Sequence, residues 1–260
     1  MSDDVLFEVD AEAKVGTITL NRPEQLNGIN QAILDGFDAI WRRVAEDDGI
    51  NAVVIRGSAE SRAFTSGVDI QGGSLRRTGN PFSDKGVQEQ LSPRLRLIWK
   101  PIIVAVHGIC AGAGLFLVND ADIALCSEDA EFFDPHMTLG ITSAMGPIGM
   151  LWRVNPGEVL RYTLLSNTER LGAATALRIG LVTETAPTHE ALWARADELA
   201  RLVAGFNPIA VQGTLKSIWE AMDSGRSAGL QRASLYSSAA RSAPGQEGAV
   251  RKEKKPYRVR

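Results

Sequence analysis

One stretch of the sequence decides the fold: Ile102-Ile-Val-Ala-Val-His-Gly-Ile-Cys-Ala-Gly-Ala-Gly-Leu115. Its first five residues are apolar and predict a buried strand, and the apolar residues around and after Leu115 predict a helix. The glycines between them let the backbone approach a ligand closely, and the first turn of a helix has N–H groups without partners. This stretch therefore predicts a turn at which backbone donors face a ligand.

A second glycine turn lies earlier in the chain, within Ala63-Phe-Thr-Ser-Gly-Val-Asp-Ile70. It follows another apolar stretch, residues 51–56, which predicts a buried strand that ends at Gly57. Backbone donors from two such turns can bind one carbonyl oxygen and stabilise the negative charge of an enolate or another oxyanion. Together the two turns predict an oxyanion-binding site.

Composition limits the classes of protein that the chain can belong to. Its 260 residues, 44% apolar and 23% charged, fit one large α/β domain, with or without a helical appendage. A net charge of −3 gives no general attraction to nucleic acid or to anionic membranes. No apolar run reaches the roughly 18 residues of a membrane span, and no signal peptide opens the chain, so we expect a cytoplasmic protein. Two cysteines and three separated histidines offer no disulfide framework and no metal-ligand spacing, so no metal is expected.

Alternating strands and helices predict a parallel sheet with both faces covered. Residues 15–20 predict a strand, the helix that follows can be capped by Asn27 or Asn30, and another helix is predicted over residues 88–99. Residues 71–81 are rich in Gly, Arg, Asn and Ser and predict a mobile surface loop. Beyond Gly157 the pattern is helical. The predicted segments are 159–165, 173–179, 192–203, 209–222 and 230–240.

Six segments, in this order and at these separations, resemble one known family. They are residues 17–27, 62–70, 100–114, 131–140, 170–184 and 254–256. The family is the crotonase, or enoyl-CoA hydratase/isomerase, superfamily, and the resemblance covers nearly the whole chain. It implies an α/β fold, a spiral of β-β-α turns with a C-terminal helical trimerisation region. Residues 1–195 would form the acyl-CoA-binding core and residues 196–260 the trimerisation region of the same structural unit.

The resemblance also implies a substrate, an assembly and a site. The substrate would be a coenzyme A thioester, with coenzyme A as part of the substrate and no covalently bound cofactor, and the chain would form trimers or dimers of trimers. The backbone N–H groups of Val68 and Ala113 would form the oxyanion hole. The residues that would line the channel for the adenine, pantetheine and acyl groups are Leu26, Gly28, Ala63, Ser66, Gly67, Val68, Asp69, Ile70, Gln71, Gly112 and Ala113.

Two departures from the family pattern fall on the acid–base residues. Hydratases of this family have one glutamate two residues beyond the last glycine of the second turn, where this chain has Phe116. They have the other after a proline, where this chain has His136. Hydration of an enoyl thioester requires a group that activates water and a group that handles the α-proton. Standard hydratase chemistry is therefore in doubt.

His136 is the best candidate for a proton-transfer group, because imidazole exchanges protons near neutral pH. Asp134 lies two residues earlier and can orient it or stabilise its charge. An ordinary histidine beside a proline turn is the competing interpretation. Phe116 is expected to pack on its helix or line the acyl pocket, Ser143 is favoured as an ordinary loop hydroxyl, and His107 is a weaker second candidate for proton transfer.

Three functional hypotheses remain open. The leading one is an enzyme of the enoyl-CoA hydratase/isomerase type in which Val68 and Ala113 stabilise a thioester enolate and His136 transfers the proton. The second keeps the oxyanion hole but changes the reaction to hydrolysis of an acyl-CoA or a β-diketone, decarboxylation or isomerisation. The third is a non-catalytic acyl-CoA-binding homologue, which the loss of both glutamates favours.

Overall fold

The computed structural model describes residues 2–70, 75, 80, 82, 85–243 and 258–260. Within that part of the chain the strands are β1 (Val5–Asp10), β2 (Val15–Leu20), β3 (Ala52–Gly57), β4 (Ala63–Thr65), β5 (Ile102–Val106), β6 (Ile109–Ala111), β7 (Ile123–Ser127), β8 (Glu131–Phe133), β9 (Leu171–Gly172) and β10 (Glu184–Ala186). The α-helices are α1 (Gln31–Glu46), α2 (Val87–Leu91), α3 (Gly114–Asn119), α4 (Met145–Met150), α5 (Pro156–Leu165), α6 (Ala173–Ile179), α7 (His189–Ala204), α8 (Pro208–Ser224) and α9 (Arg226–Ser242).

The larger sheet runs in the order β1-β2-β3-β5-β7-β10. β1 pairs antiparallel with β2, and the remaining neighbours are parallel. Every residue of β5 is buried, as a strand covered on both faces requires. The predicted parallel sheet is confirmed, with one antiparallel strand at its edge.

The smaller sheet runs in the order β4-β6-β8-β9, and its strands are only two or three residues long. β4, β6 and β8 are parallel to one another, and β9 is antiparallel to β8. Each of the three parallel strands follows a strand of the larger sheet after a short connection: β4 follows β3, β6 follows β5, and β8 follows β7. This repeated unit brings the carboxyl ends of β4, β6 and β8 side by side.

Two long helices cover the larger sheet. α1 begins after Asn30, whose side-chain oxygen accepts the N–H of Ile33 at 2.9 Å, so Asn30 is the cap of the two candidates. The apolar face of α1 is fully buried in the main core, and Trp41 donates its indole N–H to the Leu91 carbonyl oxygen at 3.0 Å. α7 packs a separate cluster against the sheet through side chains four residues apart: Leu192, Ala196, Ala200 and Ala204.

Several elements differ from the sequence-based prediction. The helix predicted over residues 88–99 is wrong beyond Leu91, because the residue before Pro93 is pushed out of the helical region and Ser92 adopts ψ 120°. β9, β10 and α4 were not predicted, since each is too short to show a periodic pattern. The loop predicted over residues 71–81 lies mostly outside the described residues.

The chain forms two compact units, Met1–Pro208 and Ile209–Arg260. The boundary predicted between residues 195 and 196 falls inside α7, which packs on the larger sheet. The assignment of the core to acyl-CoA binding and of the C-terminal part to trimerisation stays a prediction. Among the described helices, none combines the length and apolar character needed to cross a membrane.

Candidate active site

Three backbone turns meet at one edge of the smaller sheet. Parallel strands have their carboxyl ends at the same edge, so the residues that follow β4, β6 and β8 lie close together. Val68 comes three residues after β4, Ala113 two residues after β6 and His136 three residues after β8. The fold thus brings together the three residues that the sequence predicts as catalytic.

The first turn depends on Gly67, which has φ +89° in the left-handed region. A Cβ at this position would lie 2.9 Å from the Ala111 carbonyl oxygen and 3.4 Å from the Ala113 backbone nitrogen. After it, Val68 forms an isolated parallel bridge with Ile29, in which the Ile29 N–H donates to the Gly67 carbonyl oxygen at 2.7 Å. The Val68 N–H itself donates to no other group of the described chain.

The second turn has the same character. Gly112 has φ +50°, its N–H donates to the Phe133 carbonyl oxygen at 3.2 Å, and a Cβ there would lie 3.9 Å from the Gly67 Cα. Ala113 is the residue before α3, whose first-turn N–H groups have no partner within the helix. Within the described residues, the Ala113 N–H donates to no protein group. Two unpaired backbone donors, from Val68 and Ala113, therefore belong to turns in direct contact.

A cavity of about 930 Å³ opens between these turns. Its lining residues are Arg22, Glu24, Gln25, Leu26, Ser66, Gly67, Val68, Asp69, Ile70, Val87, Gln88, Gly112, Ala113, Phe116, Phe133, Pro135, His136, Leu139, Ile141 and Met145. Most of the predicted site residues are in this lining, but Gly28 and Ala63 are not. Ala63 is fully buried in β4, where its carbonyl oxygen accepts the Asn27 side-chain amide at 2.8 Å. Gln71 lies outside the described residues.

The third turn carries His136 against a buried carboxylate. The imidazole Nδ1 is hydrogen-bonded to Asp134 Oδ1, and the His136 backbone N–H donates to the same oxygen at 3.0 Å. The Asp134 side chain is 4% exposed, whereas that of His136 is 37% exposed and lines the cavity. Asp134, which the sequence predicts as the residue that orients His136, is thus in direct contact with it.

Apolar side chains form the wall beside His136. Phe116 on α3 lines the cavity together with Phe133, Leu139, Ile141 and Met145, and it also packs against the main core. None of these side chains can donate or accept a proton. Among the described residues of this wall, His136 is therefore the one that can exchange a proton.

Arg22 and Asp69 close another part of the cavity. Their side chains form an ion pair at 2.9 Å and are 14% and 12% exposed, and Arg22 also donates to the Gly28 carbonyl oxygen at 2.5 Å. Gly28 is therefore held behind the lining by Arg22. The sequence did not predict Arg22 as a site residue, although Arg22 belongs to the segment 17–27, one of the six that resemble the family.

His107 lies outside the cavity lining. Its side chain is fully buried, and its Nε2 is hydrogen-bonded to the Ser61 carbonyl oxygen at 2.9 Å. Its ring centroid lies 4.6 Å from that of His189, with the two ring planes tilted by 52°. Burial lowers the pKa of His107 to about 4, so the imidazole is neutral near pH 7. This histidine ties the strand end before the second turn to the loop before the first.

The two cysteines, Cys110 and Cys126, are buried and free. Burial raises the pKa of the Cys110 thiol and raises that of Cys126 to about 12, so neither is a nucleophile near neutral pH. Among the described residues, no group of three or more His, Cys, Asp or Glu side chains is arranged to hold a metal ion.

Known proteins are similar to this chain in sequence and in fold. The family model described as enoyl-CoA hydratase/isomerase matches residues 10–258. The short-chain-enoyl-CoA hydratase of Clostridium acetobutylicum is 32% identical, over 81% of this chain and 79% of its own length. The 2,3-dehydroadipyl-CoA hydratase of Escherichia coli is 31% identical, over 85% of each chain. A crystal structure of an enoyl-CoA hydratase/isomerase from Mycobacterium paratuberculosis matches with a TM-score of 0.84 and 30% identity, over 93% of this chain and 91% of that one.

These matches confirm the resemblance and the α/β fold that were predicted from the sequence. The chain is an enzyme that belongs to the enoyl-CoA hydratase/isomerase family of the crotonase superfamily.

Proposed function

We propose that this enzyme acts on an acyl-CoA thioester and stabilises its enolate through an oxyanion hole formed by the N–H groups of Val68 and Ala113. The observation that carries the proposal is the pair of unpartnered backbone donors on two touching turns beside one cavity. An enolate oxygen carries more negative charge than the carbonyl oxygen of the bound substrate. Fixed donors stabilise the enolate more than the substrate, which lowers the barrier to removal of an α-proton.

His136 transfers the proton in this proposal. Its imidazole lines the same cavity, and the buried Asp134 carboxylate that it contacts stabilises the positive charge it acquires. Phe116 and His136 occupy the positions at which hydratases of the family have glutamates. One imidazole would therefore carry out the proton transfers that two carboxylates share in those enzymes. A single group can remove a proton from one carbon and return it to another, which favours isomerisation over addition of water.

The acyl group would lie against the apolar wall, and coenzyme A is part of the substrate rather than a separate cofactor. Phe116, Leu139, Ile141 and Met145 offer hydrocarbon contacts and no hydrogen-bond partner for a polar acyl end. The predicted channel residues around Leu26 and the turn 66–70 would contact the pantetheine and adenine groups. The relatives, which include a short-chain-enoyl-CoA hydratase, support a thioester substrate.

Replacement of His136 tests the proposal. We expect His136→Ala to lower kcat by about 10²–10⁴-fold while thioester binding persists, because general acid–base catalysis contributes that much. Turnover would be measured on enoyl-, β-ketoacyl- and malonyl-type thioesters, and binding by calorimetry. His189→Ala is the matched control, since His189 forms a similar carboxylate pair with Asp129 at 2.9 Å but does not line the cavity. Absence of binding to every coenzyme A thioester would overturn the proposal.

Hydrolysis is the second candidate function. The contact between the imidazole of His136 and the carboxylate of Asp134 favours it, because such a pair can take a proton from water and direct the hydroxide at a carbonyl carbon. Release of free coenzyme A thiol, detected with a thiol reagent, separates this reaction from isomerisation, in which the thioester survives. Binding without turnover across the panel would favour a non-catalytic role instead.

Self-association and location belong to the same proposal. We propose a homotrimer or a dimer of trimers, supported by large apolar side chains that one chain leaves exposed, among them Trp152, Leu160 and Leu164. The cytoplasmic location expected from the sequence is also proposed, and fractionation of cells that express the chain tests it.

A further inference from the structure

Two serine hydroxyls anchor the segment that carries His136. Ser143 donates its hydroxyl to Asp134 Oδ2, and Ser166 donates its hydroxyl to the Asp134 backbone carbonyl oxygen at 2.6 Å. Both contacts converge on one residue that is 3% exposed. Asp134 is therefore held through its side chain and its main chain by two separate parts of the fold, the segment before α4 and the end of α5.

Ser166 holds an unusual backbone conformation to make this contact. It has φ 53° and ψ −131°, in a region that residues with a side chain rarely adopt, and it is 3% exposed. Its hydroxyl also meets the Thr138 N–H at 3.3 Å and the Thr138 hydroxyl at 2.9 Å. A strained position persists when surrounding contacts over-determine it, and such positions cluster at functional sites. These contacts lie on both sides of His136 in sequence.

The Asp134 carboxylate determines which ring nitrogen of His136 carries the proton. Its Oδ2 accepts from Ser143, and its Oδ1 accepts from the His136 backbone N–H at 3.0 Å. A carboxylate can only accept hydrogen bonds, so the neutral imidazole in contact with Oδ1 must have its proton on Nδ1. Nε2 is then a bare acceptor, and it has no hydrogen-bond partner among the described residues.

We propose that Asp134, anchored by Ser143 and Ser166, is a positioning residue that holds His136 as the Nδ1-protonated tautomer with Nε2 free to receive the proton of the substrate. This inference rests on the proposed function, in which His136 transfers that proton. Ser143 is not a nucleophile in this arrangement, because its hydroxyl donates to the carboxylate and makes no hydrogen bond with the imidazole. No acyl-enzyme is therefore expected at Ser143.

Nitrogen NMR of the imidazole rings tests the tautomer directly and needs no substrate. The chain has three histidines, so His136→Gln assigns the signal by its disappearance. At alkaline pH we expect wild-type His136 to show a protonated Nδ1 and a bare Nε2. In Asp134→Asn the amide group can donate to Nδ1, so the population should shift towards the Nε2-protonated form.

Kinetics supply the second readout. Asp134→Asn should lower kcat by about 10²–10⁴-fold with little change in KM, because the tautomer is wrong but the cavity is intact. Ser143→Ala and Ser166→Ala should lower kcat by about 10-fold, the lower end of what the loss of an orienting contact costs, and Ser143→Thr should restore activity. Ser234→Ala, which removes an exposed hydroxyl from α9, is the control and should behave as wild type.

The outcomes separate this inference from the function on which it rests. An Nε2-protonated His136 in the wild-type protein would overturn the inference even if His136→Ala is inactive. A tautomer that responds to Asp134→Asn while kcat is unchanged would support the positioning but remove His136 from the reaction. An unchanged tautomer in Asp134→Asn, Ser143→Ala and Ser166→Ala alike would show that the network does not position the ring.

Discussion

Gly67 shows how one residue lets two backbone donors lie together. Its positive φ turns the chain after β4, and the missing side chain leaves room for the Ala111 carbonyl oxygen and the Ala113 nitrogen. A larger residue would push the two turns apart. In the proposed oxyanion hole the donors would act through fixed geometry, so a shift of this kind would reduce the stabilisation of the enolate more than it would reduce substrate binding.

Substitution of Gly67 should therefore affect stability and catalysis together. We expect Gly67→Ala to lower the free energy of unfolding by about 1–3 kcal/mol and kcat by about 10²–10³-fold. The measurements are urea unfolding and turnover of a thioester substrate. Gly172→Ala is the matched control, because a Cβ there meets nothing within 4 Å and φ is −79°. If both variants behave alike, the close approach at Gly67 does not matter.

At this scale the sequence predicts the residues of the site better than the contacts among them. Val68, Ala113 and His136 could be named because glycine turns and a family pattern indicate their positions. The hydrogen bonds of Ser143 and Ser166 to Asp134 could not, because they join residues 9 and 32 positions apart in a segment without periodicity. Arg22 was missed for the same reason, since its partner Asp69 is 47 residues away.

At the scale of elements, the sequence predicts long helices and strands better than short ones. α1 and α6 were predicted because their apolar residues recur at helical spacing, and β5 because its five residues are all apolar. Burial of these residues stabilises each element. The strands of the smaller sheet have two or three residues and no repeat, so no local signal marks them. They exist because each is paired with a neighbour from another part of the chain. The smaller sheet, whose strand ends bring the site residues together, is thus the part of the fold that the sequence could not predict.

His107 links the end of β5 to the loop before β4, and its burial makes the free energy of unfolding depend on pH. Burial lowers its pKa in the folded protein to about 4, and its Nδ1 has no hydrogen-bond partner among the described residues. In the unfolded chain the ordinary pKa is about 6.5. Between these values the unfolded chain binds one more proton than the folded chain, so stability is complete above about pH 6.5 and falls as the pH decreases towards 4.

The expected loss from this one group is up to about 3 kcal/mol across that range. Urea unfolding of the wild type and of His107→Gln, measured at several pH values from 4 to 7, isolates it, because all other groups contribute to both proteins. We expect the difference in unfolding free energy between the two proteins to shrink as the pH falls. A difference that is independent of pH would mean that His107 is charged in the folded state or solvated.

At the scale of the whole molecule, α5 has apolar residues on its buried face and on its exposed face. α5 buries Val159 and Tyr162 in the core but leaves Leu160 59% exposed and Leu164 64% exposed. These two leucines are four residues apart, so they lie on the same face of the helix. An isolated exposed leucine is ordinary, but two exposed leucines on one face of a helix fit the self-association proposed above.

We therefore expect the purified chain to form trimers or dimers of trimers, and expect Leu160→Glu combined with Leu164→Glu to dissociate them. Two buried carboxylates in an interface cost several kcal/mol each unless they are paired, which exceeds what a trimer contact of ordinary size can tolerate. Light scattering after size exclusion measures the mass. Leu95→Glu combined with Leu97→Glu adds the same two charges between α2 and β5, outside the predicted trimerisation region, at leucines that are 58% and 73% exposed, and is the control for charge alone. A monomeric wild type would contradict self-association. Dissociation by the Leu95→Glu and Leu97→Glu control to the same extent would contradict the role of the α5 face, because then charge rather than position would separate the subunits.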